Sequence, residues 1–226
     1  MEPKLKKVLL NVIEDVIKTG EPVGSQRLVE EYGMEVSSAT IRNWFAELEE
    51  LGYLTQPYTS SGRLPTEQGY RLYVDELMPK RAATKKDCQA VESINSGEND
   101  FESRIKESAK CIAAAVDNAV IVGLHKDDTY YTGLTHLFAQ PEFDEMRSVL
   151  NLGALLDSLD GMIGRVKRQE FIEPTIRLGK ECPFGSMCGS VMVTLDQGVF
   201  FAILGPMRLD YPYAKALLVN LKNNLK

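Results

Sequence analysis

The sequence predicts an α+β chain in two parts: an N-terminal winged helix-turn-helix over residues 1–78 and an α+β domain over residues 101–226, joined by a linker at 79–100. Three observations predict it. Apolar residues recur at helical spacing in three successive segments, ended by Gly20, Gly33 and Gly52. A stretch rich in Thr, Ser, Gly and Pro follows the third segment and reads as a hairpin. Late in the chain, apolar runs of strand length alternate with turn residues before a closing helical pattern.

Leu5, Val8, Leu9, Val12, Ile13, Val16 and Ile17 form one apolar helical stripe, which Gly20 caps. Glu21-Pro-Val-Gly24 connects to Ser25, the expected N-cap of a short helix carrying Leu28, Val29 and Tyr32. After the turn Met34-Glu-Val36, Ser37 caps a third helix, with Ile41, Leu48 and Leu51 inward and Gly52 as its stop. Two short helices joined by a tight glycine-containing turn are the helix-turn-helix pattern. Tyr53-Leu-Thr-Gln56 is a strand, Tyr58-Thr-Ser-Ser-Gly-Arg63 a hairpin tip, and Leu64 opens a second strand before a helix over 66–78.

Residues 79–100 hold four basic and four acidic residues without apolar periodicity, and read as the linker, with room for a few helical turns. Asp100 then caps a helix burying Phe101, Ile105, Ala109, Ile112, Ala113 and Val116. A strand is expected over 119–124 and a largely helical segment over 134–159. Strands follow over 172–178, 190–195 and 199–204, the last two joined by the hairpin signal Asp196-Gln-Gly198. A helix over 210–226 closes the chain.

The composition, 44% hydrophobic and 26% charged, is ordinary for a globular protein. No apolar run approaches the roughly 18–20 residues that span a bilayer, and the first residues lack a signal-peptide pattern. The expected location is therefore cytoplasmic, with no membrane partner. Cys88, Cys111, Cys182 and Cys188 lack the spacing of a disulfide scaffold or a zinc site. They are expected as reduced thiols, Cys111 in a helix core.

The net charge of −6 weighs against nucleic acid, since phosphate neutralisation supplies most of DNA affinity. Residues 1–78 alone hold eight Lys and Arg against thirteen Asp and Glu, a net of −5. Placement answers part of the objection. The first half of the third helix, 37–46, offers Ser38, Thr40, Arg42 and Asn43 and contains no acid, whereas Glu47, Glu49 and Glu50 lie in its second half. Arg and Asn suit the guanine and adenine edges of the major groove. Ser37 and Ser38 at the helix N-terminus suit a phosphate. Arg63 at the wing tip is expected to reach a groove or the backbone.

Gly20-Glu-Pro-Val-Gly-Ser25, Val36-Ser-Ser-Ala-Thr-Ile-Arg-Asn43, Leu48-Glu-Glu-Leu-Gly-Tyr-Leu54 and Thr59-Ser-Ser-Gly-Arg-Leu-Pro-Thr66 resemble the HrcA heat-inducible transcription repressors. So do Gly69-Tyr-Arg71 and Tyr73-Val-Asp75, and later Tyr131-Thr-Gly-Leu-Thr-His-Leu137, Gln140-Pro-Glu-Phe143 and Ile203-Leu-Gly-Pro-Met-Arg-Leu-Asp-Tyr211. The resemblance implies a repressor of chaperone operons that binds an inverted-repeat operator as a homodimer, with a chaperonin as corepressor. It implies a GAF-like fold for the second domain. It places Ser38, Thr40, Arg42 and Asn43 against DNA, with Thr59, Ser60 and Arg63 in the wing.

The chain departs from that family twice. Trp44-Phe45 stands where an acidic residue and a methionine are usual, so one aromatic must be partly exposed, through altered core packing or at a DNA or dimer surface. The long insertion that supplies dimer contacts in the second domain is missing between Val120-Ile-Val-Gly-Leu-His125 and Tyr131-Thr-Gly133, which leaves the usual dimer route in doubt.

No nucleophile elbow, phosphate-cradling loop or metal-ligand cluster is present in the sequence, so no enzyme, cofactor or metal is expected. His125 and His136 are the only histidines, and His136 reads as a packing or surface residue. Gly205-Pro-Met-Arg208 with Asp210-Tyr211 reads as a strand-to-helix turn, Asp210 capping the last helix and Arg208 pairing locally; its functional alternative is a small-ligand or partner surface. Two other functions stay open: a winged-helix regulator that senses a small ligand, and a winged helix used as a protein-interaction module.

Overall fold

Residues 1–225 are described in a computed structural model, apart from 60, 97–99, 125–127, 144–160, 165 and 167–168. They form two units, Met1–Pro79 and Lys80–Lys226.

The first unit begins with α1 (Pro3–Thr19), whose stripe of Leu5, Val8, Leu9, Val12 and Ile13 is fully buried. Gly20 ends it in the left-handed region at φ 72°, donating its N–H to Val16 O. In α2 (Ser25–Tyr32) Gly24, not Ser25, is the N-cap. Ser25 is instead the first helical residue, and its buried hydroxyl receives the Arg42 Nε (3.2 Å). α3 (Ser38–Glu50) begins as expected, with Ser37 Oγ accepting from Thr40 N (3.1 Å), a cap that contributes about 1 kcal/mol.

The inward face of α3 differs by one residue from the expected one. Ile41, Phe45 and Leu48, at i, i+4 and i+7, are buried, while Leu51 is 47% exposed. Leu51 lies beyond the last helical residue, where the chain turns at Gly52 (φ 78°). The question of the aromatic pair is thereby answered: Phe45 enters the core and Trp44 remains half-buried, with Lys4 Nζ 5.9 Å from its ring centroid.

β1 (Leu54–Thr55) and β2 (Leu64–Pro65) pair antiparallel as a short hairpin. α4 (Glu67–Leu72), capped by Thr66, passes into a π-helical turn at Tyr73–Leu77, closed by the Met78 N–H to Tyr73 O. The helix expected over 66–78 is thus present with its last turn widened.

The second unit contains α5 (Lys85–Asn95), a helix within the segment expected as a linker with a few helical turns. Thr84 caps α5, and Val91 is fully buried where the helix packs against α6 (Phe101–Val116) and α8 (Tyr211–Asn224). Only Val91 and Asn95 of α5 are buried, so its apolar stripe is too thin to show as periodicity. Cys111, expected in a helix core, lies in α6 but is only half-buried.

Five strands, β3 (Ala119–Gly123), β4 (Thr129–Thr132), β5 (Thr175–Leu178), β6 (Cys188–Thr194) and β7 (Phe200–Pro206), make one antiparallel sheet in the order β4-β3-β7-β6-β5. The predicted hairpin at Asp196–Gly198 is present, with Gln197 and Gly198 both at positive φ. The edge strand β4 was not expected, and β5 is shorter than the run 172–178, beginning at Thr175 with Ile172 left 72% exposed.

Alternation along the strands serves two cores. Ala119, Ile121, Met192, Phe200, Ala202 and Leu204 pack with Leu137, Phe143, Ile163 and Phe171 on one face. The intervening residues, such as Val120, Val191 and Ile203, are buried beneath the layer of α5, α6 and α8. Of the helical segment expected over 134–159, α7 (Leu134–Phe138) and a 3₁₀ turn at Pro141–Phe143 are observed; 144–159 lies outside the described residues. The α+β class is as expected.

Candidate nucleic-acid interface

The first half of α3 stands at the surface because the core face is fixed by Ile41, Phe45 and Leu48. Ser37, Arg42 and Asn43 are exposed, and Ser38 and Thr40 half-buried. Ser37 Oγ lies 2.9 Å from Thr40 Oγ1, so the two hydroxyls are already bonded to each other at the helix start. Arg42 hydrogen-bonds through Nε to Ser25, and among the described residues it has no carboxylate partner.

The turn leading into α3 is held from below. Gly33 adopts φ 58° at the end of α2, and the Val36 N–H returns to Met34 O (2.8 Å). Met34 is buried and its sulfur accepts from Asn11 Nδ2 (3.4 Å). Beneath α2, Asp15 is 1% exposed, paired with Arg27 Nε (3.1 Å) and accepting from the Tyr32 hydroxyl (3.2 Å). Burial first, and the Asp15 charge second, push the Tyr32 phenol up to about 12, which keeps it a donor.

The acidic charge of this unit is partly neutralised within it. Lys4 pairs with Glu2, Lys6 with Glu76, Arg27 with Asp15 and Glu31, and Arg63 with Glu49. The two candidate contact segments, 37–46 and 51–66, both contain no acid.

The second of these segments is the hairpin, and its tip is braced. The Ser61 hydroxyl donates to Tyr58 O (2.7 Å) and accepts from Tyr58 N (3.1 Å), and Gln56 Nε2 reaches both Thr59 O and Ser61 O. Thr59 is exposed; Ser60 lies outside the described residues. Arg63, expected to reach a groove, is instead turned into the unit: its side chain is 18% exposed, pairs with Glu49 and sits 5.8 Å from the Phe45 ring centroid. Two residues absent from the expected site are brought to it. Tyr58 at the hairpin tip is 69% exposed, and Glu49 is the partner of Arg63. The first lay within the hairpin tip; the second pairing spans separate elements and has no local signal.

In the second unit, the group around Arg208 adopts the structural arrangement. Arg208 joins Glu142 (2.5 Å from Nε to Oε1) and Gln140 (2.5 Å), while Asp210 caps α8 by accepting from Tyr213 N (3.1 Å). The Arg208 partners lie far away in sequence instead of locally. His136 Nδ1 lies 2.6 Å from Asp117 Oδ1 at the surface; His125 lies outside the described residues. The four cysteines are free, and burial pushes the Cys182 thiol up and that of Cys188 to about 12. Among the described residues no three His, Cys, Asp or Glu side chains gather as metal ligands, and no helix is long and apolar enough to cross a membrane.

Known proteins are similar to parts of this sequence, and a solved structure is similar in fold. The family described as HrcA protein C terminal domain matches residues 78–214. The heat-inducible transcription repressor HrcA of Acetivibrio thermocellus is 38% identical over 125 residues, 55% of this chain and 36% of its own length. That of Moorella thermoacetica is 44% identical over 122 residues, 54% of this chain and 36% of its own. The matches therefore span about a third of these relatives. A crystal structure described as that of a hypothetical protein at 2.2 Å resolution superposes with a TM-score of 0.75, covering 100% of this chain and 97% of its own at 18% identity. That likeness is one of fold.

Proposed function

The chain belongs to the HrcA family, and from that premise we propose that it is a sequence-specific DNA-binding repressor of heat-shock chaperone operons. Met1–Pro79 is then a winged helix-turn-helix, α3 its recognition helix and the β1–β2 hairpin its wing. The observation that carries this reading is the pair of acid-free surfaces, 37–46 and 51–66, in a unit of net charge −5. Such segregation is what a polyanionic partner requires, because acids near phosphate would cancel the counterion-release gain.

Within the recognition helix, Arg42 and Asn43 read base edges and Ser37, Ser38 and Thr40 meet the backbone. Thr59 and Ser60 extend the contact at the wing. The small number of exposed cations predicts modest affinity for one unit, so two copies act together on an inverted repeat. Lys80–Lys226, an α+β unit compatible with a GAF-like domain, serves regulation and self-association, and a chaperonin is its proposed corepressor. Cytoplasmic action without an enzymatic step completes the reading.

Competition binding tests it. A labelled inverted-repeat duplex from upstream of a chaperone operon is bound, then challenged with unlabelled repeat or with a scrambled duplex. Displacement by the repeat at a concentration at least tenfold lower than by the scrambled duplex is expected, the low end of the usual specificity range being about 10³. Equal displacement contradicts sequence-specific repression.

A further inference from the structure

We propose that Arg63 is a positioning residue for DNA binding, serving the duplex through its ion pair with Glu49 and not through a phosphate. The proposal rests on the DNA-binding reading above and deepens it. Arg63 Nη2 lies 3.0 Å from Glu49 Oε2, and the two side chains are 18% and 28% exposed. Its guanidinium carbon lies 5.8 Å from the centroid of Phe45, a core residue of α3. Its backbone is bonded both ways to Val23 in the α1–α2 connector, each bond 2.9 Å. One residue thus joins three parts of the unit: the hairpin, the C-terminal half of α3, and the connector.

The close approach leaves no slack. A Cβ on Gly62 would lie 2.4 Å from the Val23 carbonyl carbon, so the hairpin meets the connector where only glycine fits. Arg63 reaches back across this junction to Glu49, in the second half of the helix whose first half carries the recognition surface. To touch phosphate it must break the pair and leave the Glu49 carboxylate unneutralised beside a polyanion. Holding the pair does the opposite: it neutralises Glu49 and fixes the hairpin tip relative to the first half of α3. Both acid-free surfaces are then presented together, without an ordering cost at binding. Of the two cations in these segments, Arg42, whose observed partner is the neutral Ser25, is the one left for DNA.

The experiment compares wild type, Arg63→Gln, Glu49→Gln and the exchanged pair Arg63→Glu with Glu49→Arg. Affinity for the inverted-repeat duplex is measured across a salt series, beside amide hydrogen exchange in the free proteins. The expected result is a loss of about three- to tenfold for each Gln variant, with the log K against log salt slope unchanged and most of the loss recovered in the exchanged pair. Glu49→Gln also speeds exchange at the Arg63 and Val23 amides, leaving α1 core amides protected. A phosphate contact gives a different pattern: the Arg63→Gln slope falls by about 0.9, Glu49→Gln binds as well or better, and exchange does not change. That pattern overturns the proposal. A wild type that prefers no duplex sinks the repressor reading instead, while the exchange measurement still decides whether the Glu49 tie holds the hairpin.

Discussion

Arg42 of α3 donates from Nε to Ser25 Oγ in the first turn of α2, at 3.2 Å, and so holds the stem of an exposed guanidinium while its terminal nitrogens make no hydrogen bond among the described residues. Ser25 thereby acts on the candidate interface from a buried position on another helix. Ser25→Ala is expected to cost about 1 kcal/mol of stability, the worth of one hydrogen bond, and to weaken duplex binding less than Arg42→Ala does. Urea unfolding with parallel binding titrations checks it; equal losses of binding would show that Arg42 acts only through Ser25.

The two adjacent aromatics of α3 have different environments and hence different costs. Phe45 is 2% exposed and Trp44 half-buried. Phe45→Ala is expected to destabilise the first unit by about 3–5 kcal/mol, as emptied core sites do, and Trp44→Ala by less than half of that. Chemical denaturation of each variant measures the difference, and a reversed order would place the wrong ring in the core.

Gly62 offers a backbone test of the hairpin junction. The added methyl of Gly62→Ala meets Val23 backbone atoms at 2.4–2.7 Å counting Pro22, so the strand bridge must open. The expected outcome is faster amide exchange at Val23 and Arg63, with weaker duplex binding and an α1 core that stays protected. Unchanged exchange would mean the junction yields easily.

A pH dependence resides in the second unit. The Thr84 and Tyr213 hydroxyls donate to Asp87 and hold its carboxyl below the ordinary 3.8. Stabilisation from a lowered carboxyl is present above its ordinary value and is lost as pH falls through the folded value. Asp87→Asn is therefore expected to lower Tm at pH 7, and the gap to wild type is expected to close as pH falls below the ordinary carboxyl range. A gap that widens in acid would contradict the assignment.

Much of this molecule was legible where structure is local. The stripe of α1, the Ser37 cap, the glycine stops and the Asp196–Gly198 hairpin each follow from neighbouring residues. The misses have physical causes. Ser25 looked like a cap, but Gly24 takes that place and the hydroxyl serves Arg42 instead. The packing of residues 85–95 was not legible beyond a few helical turns, because it rests on Val91 and a thin apolar pattern. The exposed Arg42 and Asn43 of α3 were legible from residue type and from the acid-free first half of the helix. Arg63 was not, because its pairing with Glu49 joins a hairpin to a helix end that no spacing rule connects.

The central claim, that the first half of α3 reads DNA, is tested most directly by gel-shift titration of wild type and Arg42→Ala against the inverted-repeat operator and a scrambled control at two salt concentrations. Specific wild-type binding that weakens with salt is expected, with an operator affinity reduced by about 1–3 kcal/mol in Arg42→Ala as its preference over the scrambled duplex shrinks. Undiminished operator binding by Arg42→Ala, or no binding by wild type at low salt, would contradict it.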